Sequence, residues 1–69
     1  MSHVVCHLDE LLAARGMTLV ELSEKVGVTT VNLSVLKNDR AKAIRYSTLC
    51  AICEALRCSV GELLEVVPH

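Results

Sequence analysis

Residues 17–36 read MTLVELSEKVGVTTVNLSVL, and this stretch decides the fold. Thr18 and Glu21 stand three apart at the head of an apolar-periodic run, the spacing of a capping box. Met17 and Leu22 flank it as a hydrophobic staple, and Leu19, Leu22 and Val26 mark one stripe. Gly27 suits the left-handed position past a helix end. Thr29 supplies a second N-cap, with Val28 before it able to staple to Leu33. Two short helices therefore meet across a tight turn. At 100° per residue, Leu33 and Leu36 of the second point one way, while Val31, Ser34 and Val35 point the other.

Outward from that core, the same signals mark three more helices. Leu8, Leu11 and Leu12 share a face over roughly 7–15, with Asp9 and Glu10 in the first turn and Gly16 as the stop. A fourth helix is expected to begin at Ser47, with Leu49, Ile52, Cys53 and Leu56 as its stripe. Ser59 and Glu62 repeat the capping box before a short fifth helix that buries Leu63 and Leu64. The termini, His-Val-Val-Cys at 3–6 and Leu-Glu-Val-Val at 64–67, are short and β-branched. They leave three readings open: strands that tie the ends together, strands that pair across a dimer, or frayed ends. The expected fold is an all-α, five-helix single domain over 1–69, with or without short terminal β-strands.

A chain of 69 residues buries only about 60% of its unfolded surface, so pairing with a second copy would add stability. The chain is 52% apolar, enough for a core, yet it has no Phe or Trp and Tyr46 is its one aromatic. That argues against the stacking platforms of single-stranded nucleic-acid binders. No run approaches the roughly 18 apolar residues of a membrane span, and MSHVVCH lacks the basic start and long apolar stretch expected of a signal peptide. The expected setting is cytoplasmic, with the four cysteines as thiols. The net charge of −1 hides an uneven distribution. Lys37, Arg40, Lys42 and Arg45 face Asp39 alone within 37–45, whereas the remainder sets Arg15, Lys25 and Arg57 against seven acids. A compact basic patch on an acidic body still grips phosphates.

Two capped helices joined by a tight turn, about 18–37, make a helix-turn-helix unit, which lays its second helix in the DNA major groove. The outer side of that second helix reads Thr30, Val31, Ser34 and Val35, short and uncharged where a solvated face is usually charged. Valine methyls pack on thymine methyls, and Thr or Ser hydroxyls bond to base edges. These four are the candidate base-contacting residues. Thr29, Lys37, Asn38, Arg40, Lys42 and Arg45 are the candidate DNA-backbone contacts, with Asn38 and Asp39 expected to end the helix in a left-handed turn. The reading is a double-stranded DNA regulator, a repressor acting as a homodimer and associated with the nucleoid. A lone module of this size touches too few bases to select a site. The competing reading docks a protein partner on the same helix face, as an antitoxin-like or co-regulator module.

The chain resembles the lambda-repressor-like (Cro/cI-type) helix-turn-helix family over about 14–67. The resemblance rests on Met17-Thr-Leu-Val-Glu-Leu-Ser-Glu-Lys-Val-Gly, Val28-Thr-Thr-Val-Asn-Leu-Ser-Val-Leu-Lys-Asn, Lys42-Ala-Ile-Arg-Tyr-Ser-Thr-Leu and Ile52-Cys-Glu-Ala-Leu-Arg-Cys-Ser-Val-Gly-Glu-Leu-Leu-Glu. The third segment is similar to a subgroup of very small, stand-alone bacterial and phage regulators. The resemblance implies a phosphate-contacting cap at Thr29. It implies base-facing positions at Thr30, Val31 and Val35, and backbone contacts at Asn38 and Arg40. There are departures. Leu19 stands where the family commonly has a phosphate-touching Gln, Asp39 stands where it often has Gly, and the base-facing positions lack Gln and Arg. Base discrimination is then expected to be either modest or dependent on DNA shape.

Cys50-x-x-Cys53 invites a redox or metal reading. However, Cys53 lies in the expected buried stripe and Cys58 in a staple position, where thiols act as small hydrophobes. Cys50 lies in the first turn of its helix, where the dipole favours thiolate, so a thiol sensor is a third reading. One Cys pair without a second pair at set spacing is a weak zinc signal, and His3, Cys6, His7 and His69 gather only if the termini pair. The chain has no glycine-rich phosphate loop, nucleophile elbow or paired catalytic carboxylates. No cofactor, metal, small-molecule ligand or enzymatic activity is therefore expected.

Overall fold

Helices of this chain start at Thr18, Thr29 and Ser59, where a hydroxyl caps orphan amides, and stop at Gly16, Gly27 and Arg57, where the backbone turns left-handed. The computed structural model describes residues 2–38 and 43–68. In it, β1 (Ser2–Cys6) leads into α1 (Leu8–Arg15), α2 (Leu19–Val26), α3 (Thr30–Lys37), α4 (Tyr46–Leu56), α5 (Val60–Leu63) and β2 (Leu64–Pro68). The Thr18 hydroxyl accepts from the Glu21 amide, and the Glu21 carboxylate accepts from the Thr18 amide, both at 3.1 Å. Ser59 and Glu62 form the same reciprocal pair at 2.9 and 3.3 Å. Thr29 accepts from the Asn32 amide at 3.2 Å and so opens α3. Each such cap stabilises its helix by about 1 kcal/mol. Gly16 and Gly27 close α1 and α2 at φ 61 and φ 70, where a side chain would be strained.

The helix-turn-helix turn is held by one further bond. Ser23 Oγ donates to the Val28 carbonyl at 2.6 Å, so α2 reaches across the turn to the residue before the α3 cap. That bond ties α2 to the residue just before the α3 cap.

The core gathers one stripe from every helix. It consists of Leu8, Leu11 and Leu12 from α1, Leu22 from α2, Leu33 and Leu36 from α3, Ile52 and Leu56 from α4, and Leu63 from α5. No polar or charged residue among those described is buried with them. The core is thus a leucine jigsaw whose free energy comes from apolar burial, roughly 25 cal/mol per Å². Leu19 and Val26 of the expected α2 stripe are only half-buried, because α2 presents little beyond Leu22 to the centre.

The terminal segments pair with one another. β1 and β2 form a two-stranded antiparallel sheet in which His3 faces Val67, Val4 faces Val66 and Cys6 faces Leu64. The His7 amide donates to the Leu63 carbonyl at 2.7 Å, joining the start of α1 to the end of α5. His7 Nε2 meets the Glu65 carboxylate at 2.7 Å, and its Nδ1 lies 3.4 Å from Glu10. The hydrogen bond to Glu65 raises the His7 pKa above 6.5, with Glu10 adding to it against the opposing effect of burial.

Four local expectations need correction. α4 begins at Tyr46 rather than Ser47, with Arg45 in the cap position at φ −73 and no side-chain cap bond. Arg45 is extended there, so the chain has already entered the helix when it reaches Ser47. Leu64 is half-buried because it begins β2 instead of extending α5. Cys53 and Cys58 sit at the rim of the core, half-buried, rather than inside it. Asn38 is not left-handed: its φ is −92. Its amide and its side-chain Nδ2 both donate to the Ser34 carbonyl, at 3.0 and 2.9 Å, which continues the helical wrap.

Candidate nucleic-acid interface

Leu33 and Leu36 take the inner side of α3, and this decides what its outer side must be. With those two leucines buried, Val31, Ser34, Val35 and Asn38 fall on the opposite arc. Val31 is 69% exposed and Val35 39% exposed. Thr30 and Ser34 are half-buried at the edges of the strip, and Asn38 is exposed. Thr30, Val31, Ser34, Val35 and Asn38 line one shallow surface depression. The four candidate base-contacting residues are therefore contiguous. The strip carries no charge, so it presents methyls and hydroxyls together.

Val35 also borders a second, broader depression. Thr29 and Asn32 line it from the α3 side, Arg45 and Thr48 from the start of α4. Arg45 and Thr29, separated in sequence, thus face one groove beside the α3 strip. Asn32 and Thr48 belong to this groove and escape a reading of the sequence that follows only the outermost arc of α3. The signal available for Asn32 was its place one turn before Val35. Tyr46, 85% exposed beside Arg45, is a further residue the sequence offered only as an isolated aromatic.

The cations divide. Arg45 is exposed at the head of α4. Lys37 leans the other way: its Nζ lies 3.4 Å from the Asp9 carboxylate of α1. An exposed pair of this kind contributes little stability, so the ammonium can exchange partners at small cost. Arg40 and Lys42, the remaining candidate phosphate contacts, lie outside the described residues. So do Asp39 and His69.

Nothing elsewhere among the described residues forms a competing metal centre. No group of three His, Cys, Asp or Glu side chains comes together to hold an ion, although the termini do pair. None of the described helices is long and apolar enough to cross a membrane.

Comparison with known proteins identifies the scaffold that carries this surface. A family model described as the Cro/C1-type HTH DNA-binding domain matches residues 7–69. The HTH-type transcriptional regulator YozG of Bacillus subtilis (strain 168) is 56% identical over 62 residues, 90% of this chain and 74% of that protein. The crystal structure of the transcriptional regulator VanUg superposes with a TM-score of 0.79 at 32% identity, covering 99% of this chain and 89% of that one. On the match over residues 7–69 and the likeness to YozG, this chain belongs to the Cro/C1-type helix-turn-helix DNA-binding family.

Proposed function

We propose that the chain is a sequence-reading regulator of transcription, a repressor that binds double-stranded DNA as a homodimer with α3 in the major groove. The observation that carries this reading is the exposed, uncharged strip of Thr30, Val31, Ser34 and Val35 on a family DNA-binding scaffold. In the groove, Val31 and Val35 would meet thymine methyls, and Thr30 and Ser34 would bond base edges. Thr29, Asn38 and Arg45 would lie on the sugar–phosphate backbone and set the register, with Arg40 and Lys42 adding to them. Lys37 joins them once it leaves Asp9.

Dimerisation follows from size. One α3 reads only a few base pairs, and two copies on half-sites about 34 Å apart supply the missing affinity and a palindromic target. Such a regulator works on the nucleoid, in the cytoplasm.

Selection of duplexes from a random pool tests the reading. Enrichment of an inverted repeat, bound with an affinity that falls linearly with salt on logarithmic axes, is the expected result. An apolar protein-docking role for Val31 and Val35 predicts the opposite: no enriched sequence, and partner binding that holds or strengthens with salt.

A further inference from the structure

The C-terminal end of α4 brings two cysteines together through a backbone motif that normally joins two apolar side chains. The Cys58 amide donates to the Cys53 carbonyl at 3.0 Å and the Arg57 amide to the Glu54 carbonyl at 3.3 Å. Arg57 between them is left-handed at φ 52. This is a Schellman motif, in which the residue after the left-handed position packs on the residue one turn back inside the helix. α1 ends in the same way. Met17 donates to the Leu12 carbonyl at 3.0 Å across Gly16, and both flanking residues are ordinary hydrophobes. In α4 the equivalent positions are Cys53 and Cys58, which the motif sets against one another. Both are half-buried thiols at the rim of the core, so a small reagent can reach them. Cys50 is exposed at the fifth residue of α4, beyond the first turn expected for it.

We propose that Cys53 and Cys58 form a reversible dithiol–disulfide couple, an oxidation site that clasps the end of α4 to the segment leading into α5. The oxidant is a low-molecular-weight disulfide. The thiolate of one cysteine attacks a sulfur of that disulfide, forms a mixed disulfide and releases one small thiol. The second cysteine then attacks the protein sulfur of the mixed disulfide, forms the Cys53–Cys58 bond and releases the second small thiol. Two S–H bonds are lost from the protein, the reagent's S–S bond is broken, and its two halves leave reduced. Side chains that a Schellman motif sets against one another need little movement to reach the S–S bonding distance of about 2.05 Å. Burial and the neighbouring Cys53 raise the Cys58 pKa, which favours its protonated thiol and slows its attack on the reagent.

The test treats the folded chain with oxidised glutathione, alkylates the remaining thiols and maps the product with trypsin. Cleavage after Arg45 and Arg57 separates Cys58 from both Cys50 and Cys53. The expected bridge therefore joins peptides 46–57 and 58–69, in a monomer that has lost two hydrogens. Cys50→Ser keeps this product; Cys53→Ala and Cys58→Ala each abolish it, with far-UV circular dichroism showing that the helices remain. Any one of three results overturns the proposal: a bridge within 46–57, the joined peptides surviving in Cys53→Ala, or a covalent dimer in place of the monomer. Retention of all four thiols by the folded chain, under conditions that oxidise the urea-unfolded chain, overturns it equally.

Discussion

Arg15 Nε donates a 2.6 Å hydrogen bond to the carbonyl of Leu56, so the last residue of α1 caps the last turn of α4. Its Nη2 reaches the Arg57 carbonyl at 3.2 Å. One guanidinium thereby satisfies two orphan carbonyls at a helix end and offsets the negative end of the α4 dipole. Arg15→Ala should cost about 1 kcal/mol, because part of the site is open to water, which can replace the donors. In a domain of this size that lowers Tm by about 4–8 °C. A thermal melt of the variant checks it, and an unchanged Tm would show that the contact is ornamental.

Arg57 itself is the only described non-glycine residue with positive φ. A Cβ in that region is strained, whereas glycine is not. Arg57→Gly should therefore raise stability by about 0.5 kcal/mol, since relief of strain outweighs the added freedom of the unfolded chain. Urea denaturation measures the sign directly. A loss of stability would mean that the Arg57 side chain contributes more than its backbone costs.

The terminal tie gives the protein a pH window. The Glu65 hydrogen bond raises the pKa of His7 above 6.5, so its contribution is fully present below pH 6.5 and is lost as pH rises through the raised value. Glu62 behaves in the opposite way. Its bonds from the Ser59 amide and hydroxyl hold its pKa below 4.5, so its contribution is present above pH 4.5 and is lost as pH falls through the lowered value. Stability should therefore peak between these limits. Glu65→Gln should flatten the alkaline limb, as read by denaturation midpoints across a pH series. An alkaline limb of the same steepness in that variant would assign the titration to another group.

Two classes of DNA effect should separate. Val35→Ala or Thr30→Ala changes a base-facing group, and each should alter the ranking of sites by about 1–3 kcal/mol at one position. Arg45→Ala removes a backbone contact and should weaken all duplexes alike, reducing the salt slope by about 1. Arg40→Ala is expected to behave in the same way. Binding titrations on selected and scrambled duplexes at several salt concentrations distinguish the classes, and uniform losses from both would contradict the roles assigned.

Most of this architecture could be read from local chemistry. Thr18, Thr29 and Ser59 announce helix starts because a short hydroxyl meets an amide three residues on, a relationship contained within one turn. Leu33 and Leu36 fixed the outward side of α3 by periodicity alone, and their burial agrees. What escaped depends on residues far apart in the chain, or on backbone strain. The pairing of Val4 with Val66 could not be chosen over an intermolecular pairing, because the strands carry no turn between them. The pairing of Lys37 with Asp9 joins two helices whose orientation no local signal specifies. Arg57 in the left-handed region carries no sequence mark, since glycine or asparagine would be expected there, and the Cys53–Cys58 contact that depends on it stayed hidden for the same reason.

The central claim is that the outer side of α3 enters the groove, and the valine methyls report it most directly. In methyl-resolved NMR of the folded chain titrated with a selected duplex, the account predicts that the Val31 and Val35 signals shift first and furthest. Val4 and Val66, exposed on the terminal sheet, should stay in place or change only with dimerisation. If Val31 and Val35 hold their positions while the bound duplex perturbs other methyls, α3 is not the reading helix and the account fails.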